Sequence, residues 1–180
     1  MSKKVLILST SPRIGGNSDI LAGEFARGAA DAGNEVEKIC LADKAIGFCR
    51  GCLACQKTQR CVIRDDAGAI VQKMLTADVI AFATPIYYYE MSGQMKTMLD
   101  RSNPLFTTDY SFRDIYFIST AAEDGDEVPA RAVSGLQGWI DCYENARLAG
   151  TVFGGGANDR GEIRNFPDKL KEAYSMGKAV

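Results

Sequence analysis

The 180-residue chain contains no histidine. That removes imidazole as a general base, as a metal ligand and as the partner of a serine or cysteine nucleophile. A dominant sign of charge is missing too: 21 Lys+Arg stand against 23 Asp+Glu, for a formal net charge of −2. Nucleic acid and anionic membrane are therefore not expected partners. No apolar run approaches the ~18–20 residues that span a bilayer. Met1-Ser2-Lys3-Lys4 leads straight into the short run Val5-Leu6-Ile7-Leu8, leaving no signal-peptide core, so the expected compartment is the cytoplasm. Repeats, low-complexity tracts and linkers are absent, and the length suits one domain over 1–180.

Unbroken apolar runs do occur, and they are short. Val5–Leu8 and Val79–Ala83 read as central strands of a parallel sheet covered on both faces. Glu35–Leu41, Ile115–Ser119 and Arg147–Phe153 complete five strands, the first of them nearer an edge because charges interrupt it. Helical spacing follows each strand: Ile20, Leu21, Phe25 and Ala29; Ile70, Val71, Met74 and Leu75; Met91, Met95, Met98 and Leu99; Val133, Leu136, Ile140 and Tyr143; Leu170, Ala173 and Tyr174. Alternating strands and helices imply an α/β fold, a five-stranded parallel sheet with helices on both faces. The loops after the strands then share one rim, where ligands bind in such folds.

Three stretches on that rim carry chemistry. Ser9-Thr10-Ser11-Pro12-Arg13-Ile14-Gly15-Gly16-Asn17-Ser18 joins the first strand to the first helix. Its hydroxyls, its guanidinium and the helix N-terminus suit a phosphate, with Asn17 and Ser18 fit to cap the helix. It lacks the Lys-Ser/Thr pair of a triphosphate loop and the third glycine of a dinucleotide turn. A polar turn with a good cap is the plain alternative. Thr84-Pro85-Ile86-Tyr87-Tyr88-Tyr89 reads as a loop, since Pro85 cannot donate to a ladder. Its tyrosines could sandwich a flat ring or simply pack. Cys49, Cys52, Cys55 and Cys61 give C-x₂-C-x₂-C-x₅-C, a spacing closer to iron–sulfur ligation than to zinc, with free thiols as the third possibility. Cys40 and Cys142 fall in strand and helix patterns and are expected in the core.

The phosphate loop, together with Thr84 through Lys96, resembles the NAD(P)H-dependent FMN reductases. The cysteine spacing is similar to that of the iron–sulfur flavoproteins in the same flavodoxin-like superfamily. The resemblance extends to Gly154 through Gly177 and implies a flavodoxin-like sandwich with strand order 2-1-3-4-5. It implies FMN, with phosphate contacts from Ser9, Ser11, Arg13, Gly16, Asn17 and Ser18. Ring contacts would come from Thr84, Pro85, Ile86, Tyr87, Tyr88 and Tyr89, and a further wall from Thr120, Ala121 and Ala122 up to Glu123. It further implies NAD(P)H as reductant, a small acceptor or free flavin as oxidant, and a homodimer or dimer of dimers. The alternative is an electron carrier that trades electrons with a protein partner, with a 4Fe–4S cluster on Cys49, Cys52, Cys55 and Cys61 beside FMN. No catalytic side chain is expected, because the flavin carries the chemistry. A signalling receiver on the same fold would need acidic residues where Ser9-Thr10-Ser11 stands, and a Cys₄ zinc interaction module fits neither spacing nor charge.

Overall fold

Along β1 (Lys4–Ser9) successive side chains leave on opposite faces, and both faces are apolar. Val5 and Ile7 pack with Leu21, Ala22, Phe25 and Ala29 of α1 (Asn17–Asp31) and with Ala173 of α6 (Pro167–Lys178). Leu6 and Leu8 pack on the other side with residues of α3 (Asp66–Thr76), α4 (Gly93–Arg101) and α5 (Ala130–Ile140). Burial on both faces is what demanded the continuous apolar run. The computed structural model describes residues 2–180. Among these, no helix is long and apolar enough to cross a membrane.

The sheet runs β2-β1-β3-β5-β6, all parallel, with β2 (Glu35–Cys40) at one edge and β6 (Arg147–Gly154) at the other. This is the expected order 2-1-3-4-5, with one addition that shifts the count. β4 (Glu90–Met91) pairs antiparallel with the end of β3 (Val79–Tyr87). α2 (Ala54–Thr58) is a further short helix inside the cysteine segment.

Three expectations are corrected. Pro85 does not begin a loop, since β3 continues to Tyr87 and Pro85 pairs with Thr120 of β5 (Asp114–Thr120). Thr10 N donates to Ala83 O, so Ala83 faces β1, and by the two-residue period so does Pro85. β1 has ended by then, and the missing N–H removes no ladder bond. Met91 belongs to β4 rather than to the following helix. Cys142 lies past the end of α5 and is exposed, while Cys40 sits half-buried on the edge strand.

α1 and α6 cross closely, because glycines stand where the two backbones meet. A Cβ on Gly28 would run into the Tyr174 carbonyl, and one on Gly177 into the carbonyl of Phe25. Neither neighbour can rotate away, as a side chain could. Gly177→Ala is therefore expected to destabilise the fold by about 1–3 kcal/mol, the usual cost of overpacking. The urea unfolding midpoint checks it; Gly33→Ala is no control, because its φ of +89° brings strain of its own.

Candidate functional site

At the C-terminal edge of the sheet the chain must turn from β1 into α1 without a side-chain cap. The cap position is Gly16, which has no side chain to bond the first amides of the helix. The expected capping by Asn17 and Ser18 is thus replaced by other roles. Asn17 Nδ2 donates to the carbonyls of Ala157 and Asp159, and its Oδ1 accepts from Ile163 N. It pins the loop after β6 beneath the turn. Ser18 is buried, and among the described residues its Oγ has no partner. A buried hydroxyl left unpaired costs about 1–3 kcal/mol, so this one is an open valence at a helix N-terminus.

The rest of the turn is braced from within. Ser9 is fully buried and donates to Asp19 Oδ1 at 2.7 Å. Asp19 also accepts from Gly15 N at 2.9 Å and from Lys38 Nζ at 2.9 Å. Burial pushes the Asp19 carboxyl up, but the bonds from Ser9, Lys38 and Gly15 outweigh it and hold it below its ordinary 3.8. Ser11 Oγ donates to Arg13 O and accepts from Arg13 N, closing the turn on itself. A Cβ on Gly16 would lie 2.7 Å from Ser11 Oγ and 2.9 Å from Arg13 O, so this path needs glycine there. Arg13 is exposed, and among the described residues it forms no ion pair.

The second stretch meets the first through hydroxyls. Ser92 Oγ lies 3.1 Å from Thr10 Oγ1 and accepts from Thr84 Oγ1 at 3.1 Å, and its amide donates back to Thr84. From Thr84, β3 runs on through Pro85 and Ile86 to Tyr87. Tyr88 and Tyr89 then form a two-residue hairpin with φ of +52° and +63° before β4 begins. That is a type I′ turn, which normally takes Asn-Gly. Two tyrosines in left-handed conformation are strained, and strain of this kind gathers at functional sites. Tyr88 is 98% exposed; Ile86 is buried beneath it.

The third stretch closes against this hairpin. Ile86, Tyr88, Tyr89, Ala121, Ala122, Glu123 and Val128 line one cleft of 220 Å³. Tyr89 Oη donates to Glu123 Oε2 at 2.6 Å across it, and that bond and the Glu123 charge push the phenol pKa up. Ala121 is buried within it, with its N on Gly154 O, and the preceding Thr120 is buried too. The structure therefore brings Ile86, Tyr88, Tyr89, Ala121 and Ala122 of the predicted ring residues to one cleft, whose lining does not include Thr84, Pro85, Tyr87 or Thr120, and it brings the phosphate-loop residues to one turn on the same rim. Thr10, Asp19, Lys38, Ser92 and Glu123 complete the arrangement. Thr10 and Ser92 were visible as hydroxyls beside the motifs, whereas nothing in the sequence couples Lys38 to Asp19.

The cysteine segment forms a separate hollow. Cys49, Cys52, Cys55 and Cys61 all line one cavity of 450 Å³, together with Trp139, Tyr143 and the fifth thiol, Cys142. Cys49 and Cys52 are exposed, and Cys55 is buried. Among the described residues, no three cysteines or carboxylates stand close enough to hold a single ion. One tetrahedral zinc, with Zn–S of about 2.3 Å, would draw its sulfurs to about 3.8 Å of each other. A four-iron cluster gives each cysteine its own iron and spreads the sulfurs around a larger body, which suits four thiols bordering a shared hollow.

A model of the family described as NADPH-dependent FMN reductase matches residues 3–142. An iron-sulfur flavoprotein of Methanocaldococcus jannaschii is 42% identical over 98% of this chain and 95% of its own length. Another, from Methanosarcina thermophila, is 32% identical over 94% of this chain and 92% of its own length. Among solved structures, an NAD(P)H:quinone oxidoreductase from Methanothermobacter marburgensis superposes with a TM-score of 0.75 at 17% identity, over 99% of this chain and 96% of that one. An FMN-dependent NADH-azoreductase from Bacillus anthracis, solved with FMN, gives a TM-score of 0.71 at 13% identity over 98% of both chains. These two likenesses establish the flavodoxin-like fold.

The bracing of the turn carries its own pH signature. Because the Asp19 carboxyl is depressed, its contribution to stability is fully present above about pH 4 and is lost as pH falls through the folded value. Asp19→Asn is expected to cost about 1–3 kcal/mol at pH 7. The gap from wild type should narrow as pH falls from 5 towards 2, which urea denaturation at several pH values measures.

Proposed function

The chain belongs to the NADPH-dependent FMN reductase family, and on that premise we propose which of its residues carry the family's chemistry. It is an FMN-dependent oxidoreductase that draws electrons from NAD(P)H. When bound, FMN supplies the hydride and electron transfer. The observation that carries the assignment is the unpaired, buried Ser18 Oγ beside the exposed Arg13, on the rim that also bears the tyrosine cleft. Arg13 holds the phosphate by charge-assisted bonds, with Ser11, Ser18, Gly16 and the first amides of α1 completing the cradle. Ser9 and Asn17 serve that site from below: their side chains are engaged by Asp19 and by the loop after β6, and they fix the turn that the phosphate meets.

Thr84, Pro85, Ile86 and Tyr87 bring the flat ring to the hairpin. Tyr88 and Tyr89 flank it, and Thr120, Ala121 and Ala122 form the opposite wall. The Tyr89–Glu123 bond joins the two walls. No side chain is assigned a proton-transfer role. The electrons leave to a small acceptor or free flavin. The 98% exposed Tyr88 supports a homodimer, or a dimer of dimers, in which a second subunit covers the hairpin. Six unpaired cysteines support a reducing cytoplasm as the working compartment, with the whole chain as one domain.

A second reading is favoured by the cysteine hollow and by the iron-sulfur flavoproteins among the relatives. Cys49, Cys52, Cys55 and Cys61 would hold a 4Fe–4S cluster there, and a redox protein would then be the electron partner. The donor set fits such a cluster, which supplies one-electron transfer when bound.

Anaerobic purification with iron and sulfide assays, an absorption spectrum and steady-state oxidation of NADH and NADPH test both readings. Flavin bands with turnover of the reduced nicotinamide are expected; a colourless chain that takes up no FMN would overturn the site. Arg13→Ala should weaken FMN binding about tenfold or more, by loss of a hydrogen bond between charged groups. Fluorescence titration of the apoprotein with FMN measures it, and an unchanged affinity removes Arg13 from the cradle.

A further inference from the structure

α4 begins at the flavin rim, capped by Ser92, and ends behind the cysteine hollow. Its last residue, Arg101, has a fully buried side chain although it is the largest cation available to a helix. Arg101 Nη1 donates to Asp65 Oδ2 at 2.6 Å and to Gly47 O at 2.6 Å, and Nη2 donates to Asp65 Oδ1 at 2.8 Å. Asp65 in turn accepts from Gly47 N at 2.8 Å and caps α3 through Ala67 N. Gly47 lies just before Cys49, and Asp65 lies just after Cys61. One guanidinium thus ties together the two ends of the segment that carries all four clustered cysteines.

The same end of α4 also points N–H groups at sulfur. Asn103, two residues on, donates from Nδ2 to Cys55 Sγ at 3.0 Å. Arg101 Nε is buried and has no hydrogen-bond partner among the described residues. Asp65 does most to hold the guanidinium protonated, burial opposes it, and the neighbouring Cys61 thiol adds to the effect of Asp65. The guanidinium therefore stands beside Cys61, and an N–H···S bond reaches Cys55.

We infer that Arg101 and Asn103 are the positioning residues of the cysteine site, Arg101 by closing the segment 47–65 at both ends and Asn103 by fixing Cys55 with an N–H···S bond. This rests on the cluster reading above for its electronic consequence, but not for the closure itself. N–H donors to cluster thiolates favour the reduced, more negative state and raise the potential.

Wild type, Asn103→Leu, Arg101→Gln and Arg101→Lys are compared with and without anaerobic reconstitution by iron and sulfide. In the iron-free proteins, hydrogen exchange is followed at the bonded amides of Gly47, Gln59 and Asp66. Arg101→Gln should speed exchange there about tenfold or more, as loss of a hydrogen bond to a charged group implies, while β3 stays protected. Arg101→Lys keeps the charge and covers the case in which Arg101→Gln fails to fold. It reaches one end of the segment and not both, so intermediate exchange is expected. Unchanged exchange in either folded Arg101 variant overturns the closure. In the loaded proteins, Asn103→Leu should retain iron and shift the midpoint potential of the centre downward. An unshifted potential overturns the donor role. A wild type that takes up no iron, with faster exchange in the Arg101 variants, ends the cluster reading and leaves the closure standing.

Discussion

The hydroxyl of Ser92 ties the turn after β1, 82 residues away in the chain, to the end of β3 and the start of α4. It lies within hydrogen-bond distance of Thr10 in the phosphate turn, accepts from Thr84 near the end of β3, and accepts from Met95 N as the cap of α4. All three side chains are fully buried, so none of these bonds competes with water. Inside the protein such a network is either satisfied throughout or costly, and here it is satisfied. The turn proposed to meet the phosphate and the strand proposed to lead to the ring are thereby fixed to each other. The same cap starts a nine-residue helix, about 14 Å long, which ends at the buried Arg101. The proposed flavin rim and the cysteine hollow hang on the two ends of one rod.

The tyrosine hairpin shows what that rigidity supports. A type I′ turn made of Tyr88 and Tyr89 stores backbone strain of about 1–3 kcal/mol per residue. It persists because Ile86 is buried below, Met91 is buried on the returning strand, and Tyr89 is held by Glu123. Asn-Gly would make the better turn but would place no aromatic surface on the rim. The strained turn places both tyrosines in the lining of the cleft.

Much of this was legible in advance, and the reasons are physical. Val5–Leu8 and Val79–Ala83 could be read as central strands because burial on both faces leaves no room for polar alternation. The common rim followed from the parallel topology alone. Position along a strand was harder. Pro85 argued for a loop by its missing N–H, but the sheet narrows there and the neighbour that N–H would have met has ended. Asn17 and Ser18 were recognised as capping residues by type. Which polar group a side chain finds depends on the loop after β6, about 140 residues away, and no local rule carries that. Arg101 was invisible for the same reason: at the end of an amphipathic helix an arginine reads as solvated. Its burial depends on Asp65, in a segment whose path has no periodicity.

That path poses the sharper question. The stretch from Lys44 to Asp65 has almost no ladder to hold it, and Leu53 and Gln59 both adopt left-handed φ of +56° around the five-residue α2. Packing alone would not choose a buried ion pair to anchor it. A well-packed apolar pair is often as stable or more so, and losing one partner of a buried pair costs about 3–5 kcal/mol. What a bidentate arginine does, and a leucine cannot, is define direction: two nitrogens, one carboxylate and one carbonyl admit a single placement of Gly47 against Asp65. A segment that merely covered the core would not require it. One that must set four thiols around a shared hollow would, whether the hollow takes up iron or serves the thiols alone.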